Sequence, residues 1–526
     1  MTGERAVVPR RQGAGTPVAS RGVRRLRVTA VLVVGLVASA CTGGPETSAP
    51  PGNSTSGDAA PRSTPEVSAQ PSADETVEPT TSTPPGETPT ERAEVPLVVA
   101  THLTTPPVDI APQRLRRLLR DGLQGWRPFR PAPTRMVVAP GLEVPPGADR
   151  AASDAAALRA VRRDPATVAL LPADAVDPTV NVVQVAGVDP LRSPERYAVT
   201  TPGEAPDAVA TIAIGGDVMM DRRVGERMAA TGDFAEPLRT IAPVFGAADI
   251  AMVNLESTLA RRGPPTQGIE SFAADPRIRR ALRTAGVDVV SLANNHSGDF
   301  GPASLLRTIE LLENGGFAVF GAGANLRQAD RPLVLEAGAI SVGFVGFNAI
   351  GETPAAGPNR PGASSLSMPP RTGPLDTDRL DVLAARVRDL SEQVDVVVVV
   401  PHWGRQYTAA AEPAQSRVGR RLLRAGADIV VGGHPHWVQE VERVGSRLIV
   451  HSLGNLVFDM TFSPQTQQGV IAELVIWDDQ VVGVDFVPYV ISATTWAPQP
   501  VSPRAGGADI LAQMWQASEQ PFASVD

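Results

Sequence analysis

Between residues 205 and 495 the chain carries six short apolar runs, at 211–214, 250–253, 287–292, 341–345, 396–400 and 429–431. Runs this short, apolar throughout rather than alternating, suit strands covered on both faces. Helical patterns lie between some of them, at 302–314, 376–393 and 413–425. Strands that alternate with helices predict an α/β domain with a largely parallel sheet. Five of the six runs stop at polar residues. The first ends in Gly216-Asp217-Val218-Met219, the second in Asn254-Leu255-Glu256 and the third in Asn294-Asn295-His296. The fifth and sixth end in His402-Trp403-Gly404 and Gly433-His434-Pro435-His436. A later run, 447–451, leads into Ser452-Leu453-Gly454-Asn455. Open α/β sheets bind ligands beyond the carboxyl ends of their strands, so these scattered residues are expected to converge. Runs at 439–444, 447–451, 470–477 and 481–490 follow one another closely and predict an antiparallel meander. Residues 351–374 are rich in Gly, Pro and Ser and predict a loop beside the site.

Composition removes several chemistries. All 48 basic residues are Arg, so Schiff-base and lysine-nucleophile mechanisms are excluded. One Cys among 526 residues rules out intramolecular disulfides and thiolate zinc sites. A formal net charge of −8 leaves no footprint for nucleic acid.

That single Cys has an informative position. Residues 1–27 are polar and end in Arg24-Arg25-Leu26-Arg27; an apolar run, 28–40, leads to Cys41. A basic segment, a short apolar segment and small residues before a cut site read as an export signal, and the run is short for a membrane span. Cys41 after Ala38-Ser39-Ala40 resembles a lipobox, so residues 1–41 read as a lipoprotein signal peptide region in which the residues before Cys41 are removed, Cys41 is acylated as the mature N-terminus, and the protein is anchored on the outer face of the membrane. Residues 42–94 are Pro, Ser, Thr, Gly, Ala and acidic residues, too poor in apolar surface to fold, and read as a linker. Residues 95–200 alternate strands and helices and predict a small α/β domain, distantly similar to phosphate-type periplasmic binding proteins, with Gly125-Trp126 after its first helix. Residues 496–526 read as a tail.

Asp, Glu, Asn and neutral His together are ligands for a divalent transition metal. Five of the six histidines lie at strand ends of the larger domain, and His102 lies outside it. In their order, the six polar motifs resemble those of the CapA family, linked to the synthesis, export or anchoring of poly-γ-glutamate capsule. The resemblance implies a calcineurin-like metallophosphatase core, two packed mixed β-sheets flanked by helices. It implies metal ligation by Asp217, Glu256, Asn295, His402, His434 and His436, with manganese, zinc or iron as the ion. His296 matches the histidine that acts as acid or stabilises the transition state. Arg222 is placed to hold an anionic group by a forked contact. Two features depart from related patterns. Met219 stands where the phosphatases have a metal-binding His, and Gln406 stands where CapA proteins usually have Glu. Either a metal-dependent hydrolase of phosphoesters or amides, or a non-catalytic surface protein that binds an anionic polymer or a phosphorylated ligand, fits this pattern. A capsule-synthesis complex is the implied partner.

Overall fold

A computed structural model describes residues 93–125 and 132–516. Cys41, the export signal, residues 42–92 of the linker and Trp126 lie outside the described residues, and Glu94, expected as the linker's last residue, opens the first strand. Six strands form the first sheet: β1 (Glu94–His102), β2 (Arg135–Val138), β3 (Asp149–Arg150), β4 (Thr167–Pro172), β5 (Val180–Val182) and β6 (Thr200–Pro202). Its two faces follow from alternation along β1. Val98 and Ala100 pack with Ala157, Leu158 and Val161 of helix α2 (Asp154–Arg163), whereas Val99 packs with Leu115 and Leu118 of helix α1 (Pro112–Asp121). Ser153 starts α2 by accepting the Ala156 amide at 3.2 Å, a local N-cap.

The chain continues through β7 (Val209–Val218), α3 (Arg222–Thr231), β8 (Ile250–Leu255), α4 (Arg279–Ala285), β9 (Val289–Ser291), α5 (Pro302–Glu313) and β10 (Ala318–Phe320). Next come β11 (Leu333–Ala337), β12 (Ile340–Asn348), α6 (Thr377–Ser391), β13 (Val396–His402), α7 (Pro413–Arg424), β14 (Ile429–Val431), β15 (Val441–Val444) and β16 (Arg447–Val450). The last elements are β17 (Asn455–Val457), β18 (Gln468–Trp477), β19 (Gln480–Ile491), β20 (Pro498–Pro500) and α8 (Ala508–Gln516). These strands build two mixed sheets. An eight-stranded sheet runs β10-β9-β8-β7-β18-β19-β20, with β17 also pairing β7; a six-stranded sheet runs β11-β12-β13-β14-β16-β15. Between them lies one apolar layer that includes Ile212, Ile214 and Met252 from the first and Val342, Val398 and Val450 from the second. The intervening residues point outward: Val397 and Val399 pack under α6 and α7 with Leu383, Val387 and Leu422. Both faces of each central strand are therefore apolar, which is why their sequences run without alternation.

The expected meander is divided between the sheets. β15 and β16 pair antiparallel in one, and β18 and β19 pair antiparallel in the other. Residues 451–454 cross between the sheets and deliver Asn455 beside Asp217. The expected tail is also partly structured, since Ile510, Leu511 and Met514 of α8 are buried in the layer between the sheets. The small α/β unit shares a core with the larger one: Val475, Trp477 and Val482 pack with Val98, Leu171 and Leu191. Trp477 Nε1 donates to Leu191 O at 2.7 Å, and Arg192 meets Asp485 at 3.2 Å and Glu473 at 3.3 Å.

Asp485 offers a test of this junction. Burial, and then the like charges of Asp189 and Glu473 against the attraction of Arg192, raise its carboxyl to about 6. A folded-state value above the unfolded one means that the folded protein holds the proton longer, so ionisation costs stability as pH rises from about 4 through 6. Asp485→Asn removes that cost. Its side chain keeps 28% exposure, so the gain over wild type is expected to be about 1–2 kcal/mol above pH 6, fading below pH 4. Chemical unfolding at pH 4 and pH 7 measures it; a variant less stable at pH 7 than at pH 4, relative to wild type, contradicts the assignment.

Candidate metal centre

Register carries the polar residues to one edge. Asp217, at the end of β7, pairs in register with Asn254 of β8 on one side and Asn455 of β17 on the other. In the second sheet His402 ends β13, in register with Asn348 of β12, and bridges to Gly433 after β14. Gly433 permits a close approach between the sheets, because a Cβ there would lie 2.6 Å from Asp217 Oδ1. The turn beyond it is strained: His434 has φ 95° and His436 φ 58°, left-handed values that cost a β-carbon residue about 1–3 kcal/mol each. Such strain is held by its surroundings. The His434 amide donates to Asp217 Oδ2 at 3.0 Å, and His436 Nδ1 lies 2.9 Å from Asn455 Oδ1.

All six residues expected as ligands come together, each no more than 2% exposed. Ligand-type atoms of Asp217, Glu256 and His402 lie within 4.8 Å of one another. His402 Nε2 is 2.9 Å from Glu256 Oε1 and 2.8 Å from Asn295 Oδ1. His436 Nδ1 is 3.7 Å from Asp217 Oδ2. The His434 ring centre is 5.0 Å from that of His402 and 5.7 Å from that of His436. Neither ring nitrogen of His434 has a hydrogen-bond partner, nor does Glu256 Oε2. Buried polar atoms without partners are rare and costly, and here three of them face a donor set suited to a divalent cation.

The electrostatics agree. Burial, then the like charge of Glu256, pushes Asp217 up to about 7. Burial lifts Glu256 to about 8, opposed by His296 and reinforced by Asp299 and Glu352. Burial lowers His402 to about 4 and His436 to about 3, and holds His434 well below the usual imidazole value. Three neutral imidazoles and two carboxyl groups that cannot both ionise without a counter-charge are a ligand set waiting on a cation.

His296 behaves differently. Its Nδ1 lies 2.9 Å from Asp299 Oδ2, and its ring rests on Phe272 at 4.3 Å. Burial would lower its pKa, but the Asp299 bond and charge, with Glu256 and Glu352, outweigh it and raise the value. Asp299 is fixed in turn by the Phe272 amide and Gln267 Nε2, both at 2.6 Å. His296 lines a cleft of ≈ 860 Å³ together with Arg222, Asn295, Glu352, Tyr407 and His436. Arg222 is in the cleft wall, yet its guanidinium is engaged: Nη2 bonds Asp459, Nη1 lies 3.3 Å from Glu270, and the group stands 4.8 Å over the Phe272 ring.

One sequence feature resolves differently from expectation and another as expected. His451 does not join the other four histidines; it lies 3.3 Å from Glu442 and against Trp403, on the far side of the strand end. Met219 is buried with Phe272 and Phe458, its sulfur accepting the Asp221 amide at 3.1 Å, so it serves packing. Sequence reasoning passed over Asp299, three residues after His296 in the same turn, and Glu352, which bonds Asn295 Nδ2 at 2.7 Å. Asp299 had a local signal in that spacing; Glu352, on the Gly-rich loop, had none.

Two packed mixed sheets with helices outside, and acidic, amide and imidazole groups gathered where their strands end, are the arrangement of the calcineurin-like metallophosphatase fold. Residues 211–460 match the family model described as bacterial capsule synthesis protein PGA_cap. The chain is 28% identical over 303 residues to capsule biosynthesis protein CapA of Bacillus anthracis, covering 56% of this chain and 69% of that one. Over 266 residues it is 28% identical to PGA biosynthesis protein CapA of Bacillus subtilis, covering 48% and 64%. It is 30% identical over 252 residues to a probable polyglutamine synthesis accessory protein of Mycobacterium tuberculosis, covering 46% and 65%. These matches span about two thirds of each relative's length. Over residues 211–460 the chain is thus similar to the CapA family of capsule synthesis proteins.

Proposed function

We propose that residues 205–495 form a metal-dependent hydrolase that serves the synthesis or export of an anionic capsule polymer of the poly-γ-glutamate class, acting on a phosphoester or γ-amide bond. One observation carries this reading: a fully buried His434 with both ring nitrogens unpartnered, among Asp217, Glu256, Asn295, His402 and His436. Those residues would hold a divalent manganese, zinc or iron ion. When bound, such an ion would supply Lewis-acid polarisation of the bond under attack and would lower the pKa of a water held there. The protein supplies the rest. His296, whose pKa Asp299 raises, stands in the cleft wall where it can give a proton to a leaving oxygen or nitrogen. Phe272 and Gln267 hold that pair in place. Arg222 is pinned by Asp459 and Glu270, so it shapes the cleft and meets an anionic group only with its remaining donors. The capsule context comes from the names of the relatives. To test the reading, the purified protein is loaded with each ion and offered phosphomonoesters, phosphodiesters and γ-glutamyl amides. Ion-dependent turnover of one class is expected; bound ion without turnover of any would favour a non-catalytic polymer-binding role.

The surface location rests on the sequence before residue 42. We expect the wild-type protein in the membrane fraction and Cys41→Ser in the soluble fraction after cell fractionation. Equal distribution of the two removes the lipid anchor from the proposal.

A further inference from the structure

The loop after β12 enters the site through one residue. Gly351 and Glu352 both take left-handed backbone, with φ 87° and 65°, and the second is a conformation that a side chain rarely adopts. Three bonds fix this turn to the ends of the strands. Asn348, in register with His402, holds Gly351 O with Nδ2 at 2.8 Å and the Ile350 amide with Oδ1 at 2.9 Å. Thr353 Oγ1 accepts the Gly298 amide at 2.9 Å, which ties the loop to the turn that bears Asn295 and His296. Glu352 is thus delivered with its Oε2 2.7 Å from Asn295 Nδ2, and Arg371 Nη2 donates to its Oε1 at 2.8 Å.

An Asn side chain has two faces that differ chemically, and a half-turn about its last bond exchanges oxygen for nitrogen. A carboxylate only accepts. Glu352 therefore requires Nδ2 on its own side and leaves Oδ1 toward His402 Nε2, 2.8 Å away, where Glu256 also lies. Nδ2 bonds only Glu352, so that carboxylate is the one fixed acceptor on its side; on the other side Asn254 Nδ2, 3.2 Å from His402 Nδ1, leaves Nε2 to donate to Oδ1, an arrangement that lasts only while Nε2 carries a proton. Position 406, in the same cleft, carries an uncharged Gln, whereas Glu352 brings a carboxylate from the loop.

We propose that Glu352, locked by Arg371, is a positioning residue that turns the Asn295 carbonyl oxygen toward the metal centre. This rests on the metal reading above. Full-length protein and its variants are titrated with Mn²⁺ by calorimetry. Glu352→Ala is expected to bind about 10–100-fold more weakly, the usual consequence of losing an outer partner of a ligand. Glu352→Gln keeps an oxygen acceptor for Nδ2 and is expected to recover most of the affinity. Glu352→Lys offers only donors, reverses the preferred amide orientation and is expected to lose at least as much as the Ala variant; this Gln–Lys contrast decides the matter even if the Ala variant does not fold. Combined with Asn295→Ala, Glu352→Ala is expected to add no further loss, because both act through one amide. Wild-type affinity in Glu352→Lys, or losses that multiply in the double variant, overturns the role of Glu352 and leaves the metal centre standing. A wild-type protein that takes up none of manganese, zinc or iron overturns both.

Discussion

Replacing His434 and His436 together by alanine is expected to abolish stoichiometric metal binding while leaving the protein folded. His434 makes no hydrogen bond through its ring, and His436 makes one, to Asn455 at 2.9 Å. If these imidazoles served only as a buried polar cluster, their loss would cost about 1 kcal/mol for the single bond plus a packing term. Burial of two partnerless ring nitrogens already works against the fold, so part of that cost is returned. As ligands they matter far more. Loss of an outer-shell partner weakens metal binding about 10–100-fold, and loss of two direct ligands is expected to exceed that range. The measurement is bound metal by mass spectrometry after incubation with manganese, zinc or iron, beside thermal unfolding of the metal-free proteins. Equal metal in wild type and variant would sink the assignment of both histidines.

His296→Asn is expected to lower turnover by about 10²–10⁴ without changing metal content, the range for loss of a positioned proton donor. The pH profile separates this role from a structural one. A donor acts in its protonated form, and Asp299 raises the pKa of His296, so activity persists below that value and falls as pH rises through it. Asp299→Asn removes the charge 2.9 Å from His296 Nδ1 while keeping one oxygen acceptor, so the alkaline limb moves to lower pH. A variant that loses activity equally at every pH would indicate that Asp299 merely supports packing against Phe272.

Expectation and structure agree best where the signal is local. Val396, Val397, Val398, Val399 and Val400 announce a strand buried on both faces, and all five are buried between the central layer and helices α6 and α7. The polar stops at Asp217, Glu256, Asn295, His402, His434 and His436 were legible for the same reason: a strand that leaves the core exposes its next residues at the sheet edge. The helix over Arg222–Thr231 was not expected, since its pattern is dominated by Arg and only Val224 and Met228 are buried within it.

The sequence alone determined which chemistry was available, namely oxygen and imidazole ligands without thiolate or lysine, and which strand ends carried it. Tertiary structure alone decided the membership of the site. Asn455 reaches Asp217 because residues 451–454 cross between sheets, a path set by pairing between positions 238 residues apart, Asn455 with Asp217. His451, four residues earlier, is left on the other side with Glu442. Glu352 arrives from the loop expected beside the site, but the composition of that loop does not single out the residue that enters. Strand runs and caps are short-range consequences of side-chain shape and burial, and so are written locally. Which strand lies beside which is settled by how the two sheets close over a shared apolar layer, and no run of neighbouring residues encodes that.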